Sequence, residues 1–196
     1  MCHRPRIGAR LLVRSYVRRY LKALYREIGE WIQDHQERAS NLLMYSICYV
    51  EEFMTQYLDH LLIAMYKAIV QTENKVVKKN IPICFKLLGR YTQPRSYGPL
   101  VISAIRNELA SFYTYTSPGS LRAFGYLFGG SIEMLRPGMN IEYVREVLKD
   151  FMLAVEKTVI DFLDIDIASN LVETIETLVY WLNRKQNEEV DVTLCR

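Results

Sequence analysis

Glycine and proline are scarce in this sequence, with nine and six among 196 residues, whereas tyrosine alone occurs 14 times. A β-sandwich or β-barrel needs many tight turns, and such turns are rich in glycine and proline. Half of the residues are hydrophobic, which is enough to build a core. The composition therefore favours a folded, all-α protein.

Long apolar runs are missing as well. No uninterrupted stretch of about 18 apolar residues occurs. No short apolar run follows a charged start in the manner of a secretory signal. We expect no membrane span, and we expect a protein that stays in the cytoplasm or enters an organelle.

Signatures of catalysis and of metal or nucleotide binding are also absent. The three histidines, His3, His35 and His60, stand beside no partner motif, and the sequence has no phosphate loop, no dinucleotide-binding glycine motif and no H-E-x-x-H. Its four cysteines are far apart, without a C-x-x-C pair. We predict that the protein is not an enzyme and has no cofactor or metal, with Cys48 and Cys84 reduced in the core.

Acidic residues are missing from the first 26 positions, which carry eight basic residues. Five of the basic residues follow one another at helical i, i+4 spacing and form a basic ridge: Arg10, Arg14, Arg18, Lys22 and Arg26. Like charges so placed repel, so an acidic neighbour, a partner or an anionic surface would offset the cost. A solvated helix face, a protein-binding patch, nucleic-acid binding and mitochondrial targeting all remain open, although no element for reading bases is apparent.

Apolar periodicity and capping residues predict eight helices. The first two are an amphipathic helix from Val13 to Ile28, stopped by Gly29, and a helix reaching Val50 after a cap at Asp34. The other six are 56–70; 73–91, capped by Thr72 and kinked at Pro82; one from Gly98-Pro99 to about 113; one from Ser117-Pro118 to Gly129-Gly130; 140–163, capped by Asn140; and one from Asp164 or Asp166 to 182.

The predicted helices recur at the spacing of a helical repeat. The caps of the second helices, at Asp34, Thr72, Ser117 and Asp166, are 38, 45 and 49 residues apart. The tetrapeptide Ala-Ser-Asn-Leu occurs at 39–42 and again at 168–171, 129 residues later. Such spacing is typical of HEAT repeats. We predict about four antiparallel hairpins stacked as a HEAT-like α-solenoid over residues 1–184, with a disordered polar tail at 185–196. A single globular bundle is the competing fold.

Three further basic residues, Lys78, Lys79 and Arg122, lie early in second helices of the predicted hairpins. Second helices line the concave surface of a HEAT array. We therefore count these residues with the basic ridge as candidates for protein binding, against the alternative that they are ordinary solvated side chains.

The order of several small elements resembles an internal section of the HEAT-repeat family of dynein axonemal assembly factor five. The residues that carry the resemblance are Arg4-Pro5, Gly8, Arg10, Leu12-Val13, Trp31, Leu42-Leu43, Leu87-Leu88-Gly89 and Pro94. The resemblance implies a cytoplasmic, non-catalytic scaffold. Its partners would be axonemal dynein chains, chaperones and other assembly factors. Without it, the same architecture also fits a generic HEAT adaptor for transport or complex assembly.

Overall fold

The computed structural model describes residues 5–29, 33–106 and 116–133, and the positions 145–146, 148–153, 156, 169, 172–177, 179–180 and 183. The first three ranges contain six α-helices and one 3-10 helix: α1 (Ile7–Gly29), α2 (Gln33–Val50), the 3-10 helix (Glu51–Tyr57), α3 (Leu58–Gln71), α4 (Lys75–Tyr91), α5 (Pro94–Ile105) and α6 (Thr116–Glu133). The later positions are helical too. The prediction of an all-α chain is confirmed, since none of the residues so described lies in a strand.

Consecutive helices pack as hairpins, α1 with α2, α3 with α4, and α5 with α6. The second helices α2, α4 and α6 lie side by side in one layer, and α1 contacts α3 in the other. This arrangement is a stack of helical hairpins, as predicted. The described parts of the second helices are Gln33–Val50, Lys75–Tyr91 and Thr116–Glu133.

The fourth hairpin falls mostly outside the described residues, as do Asn140, Asp164 and Asp166. Helical positions between 145 and 183 are its described part. Thr174 is buried and donates its hydroxyl to the carbonyl oxygen of Leu121 in α6 at 2.8 Å. The next repeat therefore stacks on α6. Trp31 and the tail at 185–196 also lie outside the description, so the disorder of the tail stays a prediction.

Two residues predicted as helix caps, Thr72 and Asp34, do not occupy the cap position. α4 is capped by Asn74, whose side-chain oxygen accepts from the backbone nitrogens of Val76 and Val77. Thr72 instead ends α3, and its hydroxyl accepts from the Asn74 backbone nitrogen at 3.3 Å. Asp34 lies within the first turn of α2, where a carboxylate still favours the positive end of the helix dipole.

Helix boundaries around the prolines also differ from the prediction. α5 begins at Pro94, in the first turn that proline tolerates, so Pro99 lies inside the helix rather than at its start. Ser117 likewise lies inside α6, which begins at Thr116. Pro82 is within α4, as predicted, and the kink expected there stays a prediction.

Glycines bring α4 and α6 together backbone to backbone. The prediction that Gly129 and Gly130 end α6 is wrong, because the helix continues to Glu133. A Cβ atom on Gly130 would lie 2.0 Å from the carbonyl oxygen of Lys86, and one on Gly89 would lie 1.8 Å from that of Leu127. The absence of side chains at these two positions therefore fixes how closely the second and third repeats stack.

Polar contacts also join the repeats. Asn80 of α4 donates to the Ser40 hydroxyl at 3.1 Å and to the Asn41 side-chain oxygen at 3.0 Å. Ser40 is buried, whereas Ser169, its counterpart in the recurring tetrapeptide, is exposed. Since α4 packs over α2, a buried amide there needs partners, and α2 supplies them.

Candidate protein-binding surfaces

The first half of the basic ridge is occupied within the chain. Arg10 and Arg14 both pair with Glu51, and the Arg14 Nη2 atom lies 3.3 Å from Glu51 Oε2. Glu51 is buried, with 2% of its side chain exposed. We call these three residues the Glu51 latch. An acidic neighbour thus offsets the repulsion along the ridge, one of the possibilities that the sequence left open.

Arg14 makes further contacts around the latch. Its Nε donates to the carbonyl oxygen of Val50 at 3.1 Å, its Nη2 lies 3.0 Å from Glu52 Oε1, and its guanidinium carbon lies 4.3 Å from the centre of the Phe53 ring. α1 is also anchored by four buried residues, Val17, Leu21, Leu24 and Ile28. These contacts make the basic helix an integral part of the first hairpin.

The second half of the basic ridge, Arg18, Lys22 and Arg26, borders a groove between α1 and α3. The groove has a volume of about 940 Å³. The α3 side carries Asp59, His60, Ile63, Ala64 and Lys67, and the remaining lining residues are Leu21, Tyr25, Gly29, Gln56 and Tyr57. We call this cavity the α1–α3 groove. It combines an apolar floor with a largely basic border.

Two hydrogen bonds hold the walls of the α1–α3 groove together. The Tyr25 hydroxyl donates to the carbonyl oxygen of Tyr57 at 3.4 Å, and Lys67 Nζ donates to the carbonyl oxygen of Gly29 at 2.7 Å. Burial raises the pKa of the Tyr25 hydroxyl, and the nearby Tyr57 raises it further. Tyr25 therefore stays neutral at physiological pH and serves as a donor in the wall.

The other predicted binding residues do not converge on one site. Lys78 is exposed and pairs with Glu73 at 3.1 Å, while Lys79 is exposed on the same helix. Arg122 is partly buried between repeats, because its Nη1 donates to the carbonyl oxygen of Ile69 at 3.4 Å and its Nε lies 3.3 Å from Glu173 Oε2. Arg122 therefore joins three helical segments, a structural role that the sequence reading missed.

A second groove, with a volume of about 460 Å³, lies where α4, α6 and the helical positions near 176 meet. Pro82, Ile83, Lys86 and Tyr126 border it from α4 and α6. Tyr126 also has a raised pKa, chiefly through burial and then through the charge of Glu173. The sequence did not predict this groove, because its walls come from three repeats that are far apart in the chain.

No three histidine, cysteine, aspartate or glutamate side chains among the described residues lie close enough together to hold a metal ion. Cys48 and Cys84 are buried and form no disulfide bond, as predicted. Across the same ranges, no helix is long and apolar enough to span a membrane.

This helical array was compared with known protein families. Residues 1–148 match the HEAT-repeat domain of the dynein axonemal assembly factor 5 family. The chain belongs to this family. The match covers the six α-helices that the structure describes, so the family resemblance noted in the sequence is confirmed.

Individual relatives agree with the family match. The chain is 26% identical over 133 residues to dynein axonemal assembly factor 5 of Xenopus laevis, covering 68% of this chain and 15% of the relative. It is also 26% identical over 103 residues to the proteins of the same name from Mus musculus and Homo sapiens, covering 53% of this chain and 12% of each relative. The chain therefore spans less than a fifth of the length of these relatives.

Proposed function

We propose that this chain is a non-catalytic HEAT-repeat scaffold that assists the preassembly of axonemal dynein arms in the cytoplasm. Its partners are axonemal dynein chains, chaperones and other dynein assembly factors. The observation that carries the proposal is the family match over residues 1–148, in which the relatives are named as dynein axonemal assembly factors.

The fold supports a role in holding other proteins. Each hairpin buries one face against its neighbours, and the stack leaves an extended surface with grooves between helices. The two described grooves lie between α1 and α3 and between α4 and α6. A rigid array of this kind binds by surface complementarity, in which a few well-packed contacts supply most of the affinity.

Proximity labelling in ciliating cells tests this proposal. The full chain, fused to a labelling enzyme, is expected to mark dynein chains and chaperones in the cytoplasm. Gly89→Leu should abolish the enrichment, because a side chain at Gly89 would collide with the α6 backbone and disrupt stacking. Gly8→Ala should leave it unchanged, since nothing lies within 4 Å of a Cβ atom at that position. Enrichment of transport cargo without dynein chains would favour a generic adaptor instead.

A further inference from the structure

The α1–α3 groove has the features of a peptide-binding site. Arg18 and Lys22 are exposed along its α1 side, and Arg26 and Lys67 continue the basic border towards the end of α1. Asp59 is the one acidic residue among the groove's lining residues, against four lysines and arginines. Arg26 already pairs with Glu27 at 3.8 Å, so the positive charge offered to an acidic ligand is that of Arg18, Lys22 and Lys67.

The Glu51 latch explains why the excess charge is confined to this part of the ridge. Arg10 and Arg14 are turned towards Glu51 and are largely buried, with 12% and 15% of their side chains exposed. Glu51 pairs with those two arginines, whereas Arg18 and Lys22 line the groove. Glu51 thus offsets the repulsion in the first half of the basic ridge, whereas the second half borders the α1–α3 groove.

The groove floor is apolar. Leu21 is buried beneath it, while Ile63, Ala64 and the Tyr25 side chain are half-buried at its surface. A ligand with charge alone would leave these groups in contact with water. Burying an aliphatic or aromatic side chain against them removes apolar surface from water and so favours binding. The best ligand therefore carries an apolar side chain flanked by carboxylates.

The length of the basic border indicates the size of the ligand. Arg18 and Arg26 are eight residues apart in α1, which is about 12 Å at about 1.5 Å per residue. About four residues of extended peptide, or two turns of a helix, cover that distance. Within the part of the chain that the structure describes, the groove is open to solvent and accessible to a ligand of this size.

We propose that the α1–α3 groove binds a short acidic segment of a partner protein, with an apolar side chain of that segment seated between Tyr25 and Ile63 and its carboxylates against Arg18 and Lys22. The proposal deepens the scaffold function and rests on it. A peptide is favoured over nucleic acid because the floor is apolar, whereas a phosphate backbone needs only the charges.

Fluorescence anisotropy with the full chain tests the proposal. The probe is a short labelled peptide of Asp and Glu residues around Leu and Phe. Arg18→Glu with Lys22→Glu should weaken its binding at least about tenfold, which corresponds to about 1.4 kcal/mol. Both residues are exposed, so circular dichroism should show unchanged helicity. The matched control, Arg19→Glu with Arg38→Glu, changes the net charge equally at exposed positions outside the groove and should bind as the wild type does.

A second pair of measurements separates the apolar contribution from the charge. Replacing Leu and Phe of the peptide by Ser should weaken binding, and so should Ile63→Gln on the protein. Equal affinity for the two peptides, or for the charge-reversed and wild-type chains, would overturn the proposal. Tighter binding of a single-stranded oligonucleotide or of phosphatidylserine vesicles would do the same.

The outcome is distinguishable from a failure of the scaffold function. If no peptide binds the groove but the chain still labels dynein chains in cells, then the scaffold proposal stands and the groove is not its docking site. If the peptide binds but dynein chains are not labelled, the groove recognises an acidic segment of some other partner, and the function in dynein assembly is wrong.

Discussion

Arg14 and Glu51 connect α1 to the first residue of the 3-10 helix that follows α2, with Arg14 Nη2 3.3 Å from Glu51 Oε2. Glu51 follows the last residue of α2 and adopts a positive φ of 54°. A left-handed residue commonly ends a helix, but a non-glycine residue there is strained by about 1–2 kcal/mol. The ion pairs with Arg10 and Arg14 thus stabilise a backbone conformation that glutamate disfavours.

Removing the charge of Glu51 tests the latch. Glu51→Gln should lower the free energy of unfolding by about 2–3 kcal/mol, because two arginines that are largely buried would lose their ionic partner. Urea denaturation followed by circular dichroism measures the change. Glu52→Gln is the matched control, since Glu52 pairs with Arg14 but is 61% exposed, and it should cost less than about 1 kcal/mol. Equal effects of the two substitutions would show that the latch does not stabilise the fold.

Because α4 and α6 cross in close backbone contact, replacing a glycine at the crossing by alanine should destabilise the fold. Gly89→Ala and Gly130→Ala should each lower the free energy of unfolding by about 1–3 kcal/mol or more, since the new Cβ would meet backbone that cannot move independently. In α1, by contrast, Gly8→Ala should raise it by about 0.5–1 kcal/mol, because alanine favours a helix where space is open. Thermal denaturation of the three variants gives the comparison. Stabilisation at all three positions would contradict the close crossing.

Because Asn74 caps α4, Asn74→Ala should lower the free energy of unfolding by about 1 kcal/mol, since two backbone nitrogens would lose their acceptor. Gln93→Ala is the control. Gln93 stands at the equivalent position of α5 but makes no capping bond with its side chain, so its replacement should change stability by a few tenths of a kcal/mol at most. Urea denaturation distinguishes the two, and equal losses would contradict the assignment of the cap.

Burial raises the pKa of the Cys84 thiol above its ordinary value of 9.0, with a smaller contribution from Cys48. The folded chain therefore keeps a proton that the unfolded chain releases above about pH 9. The resulting contribution to stability is complete below that pH and falls as the pH rises above it, with a slope that approaches about 1.4 kcal/mol per pH unit. Denaturation measured between about pH 8 and 10 should show this fall, and Cys84→Ala should flatten it. An equal slope in both proteins would contradict a buried, protonated thiol.

Much of the fold could be predicted from the sequence because apolar periodicity reports directly on helices. The apolar stripe that ends at Ile28 is buried along α1, as expected. The start of α5 was mispredicted because Pro94 and Pro99 are both compatible with a helix start. The cap of α4 was mispredicted because Thr72 has the chemistry of a cap, but Asn74, two residues later, is the residue that caps the helix. Which of several suitable residues begins a helix depends on packing that the local sequence does not contain.

The candidate site was harder to predict. Spacing correctly placed Arg10 to Arg26 on one helix, but their division into latch and groove depends on Glu51, which is 37 residues from Arg14 in the chain. The sequence pattern predicted a helix stop at Gly130. Its role at the crossing of α6 with α4 is evident only from the contact between the two helices. Tertiary contacts thus determined the roles of residues whose types the sequence had identified.

Electron microscopy of axonemes provides the most direct test of the scaffold function. In cells that normally make this chain, its deletion should remove dynein arms while cilia keep their normal number, and wild-type chain should restore the arms. Dynein heavy chains should then be retained or degraded in the cytoplasm. A full complement of arms on axonemes from cells without the chain would contradict the proposed role in dynein assembly.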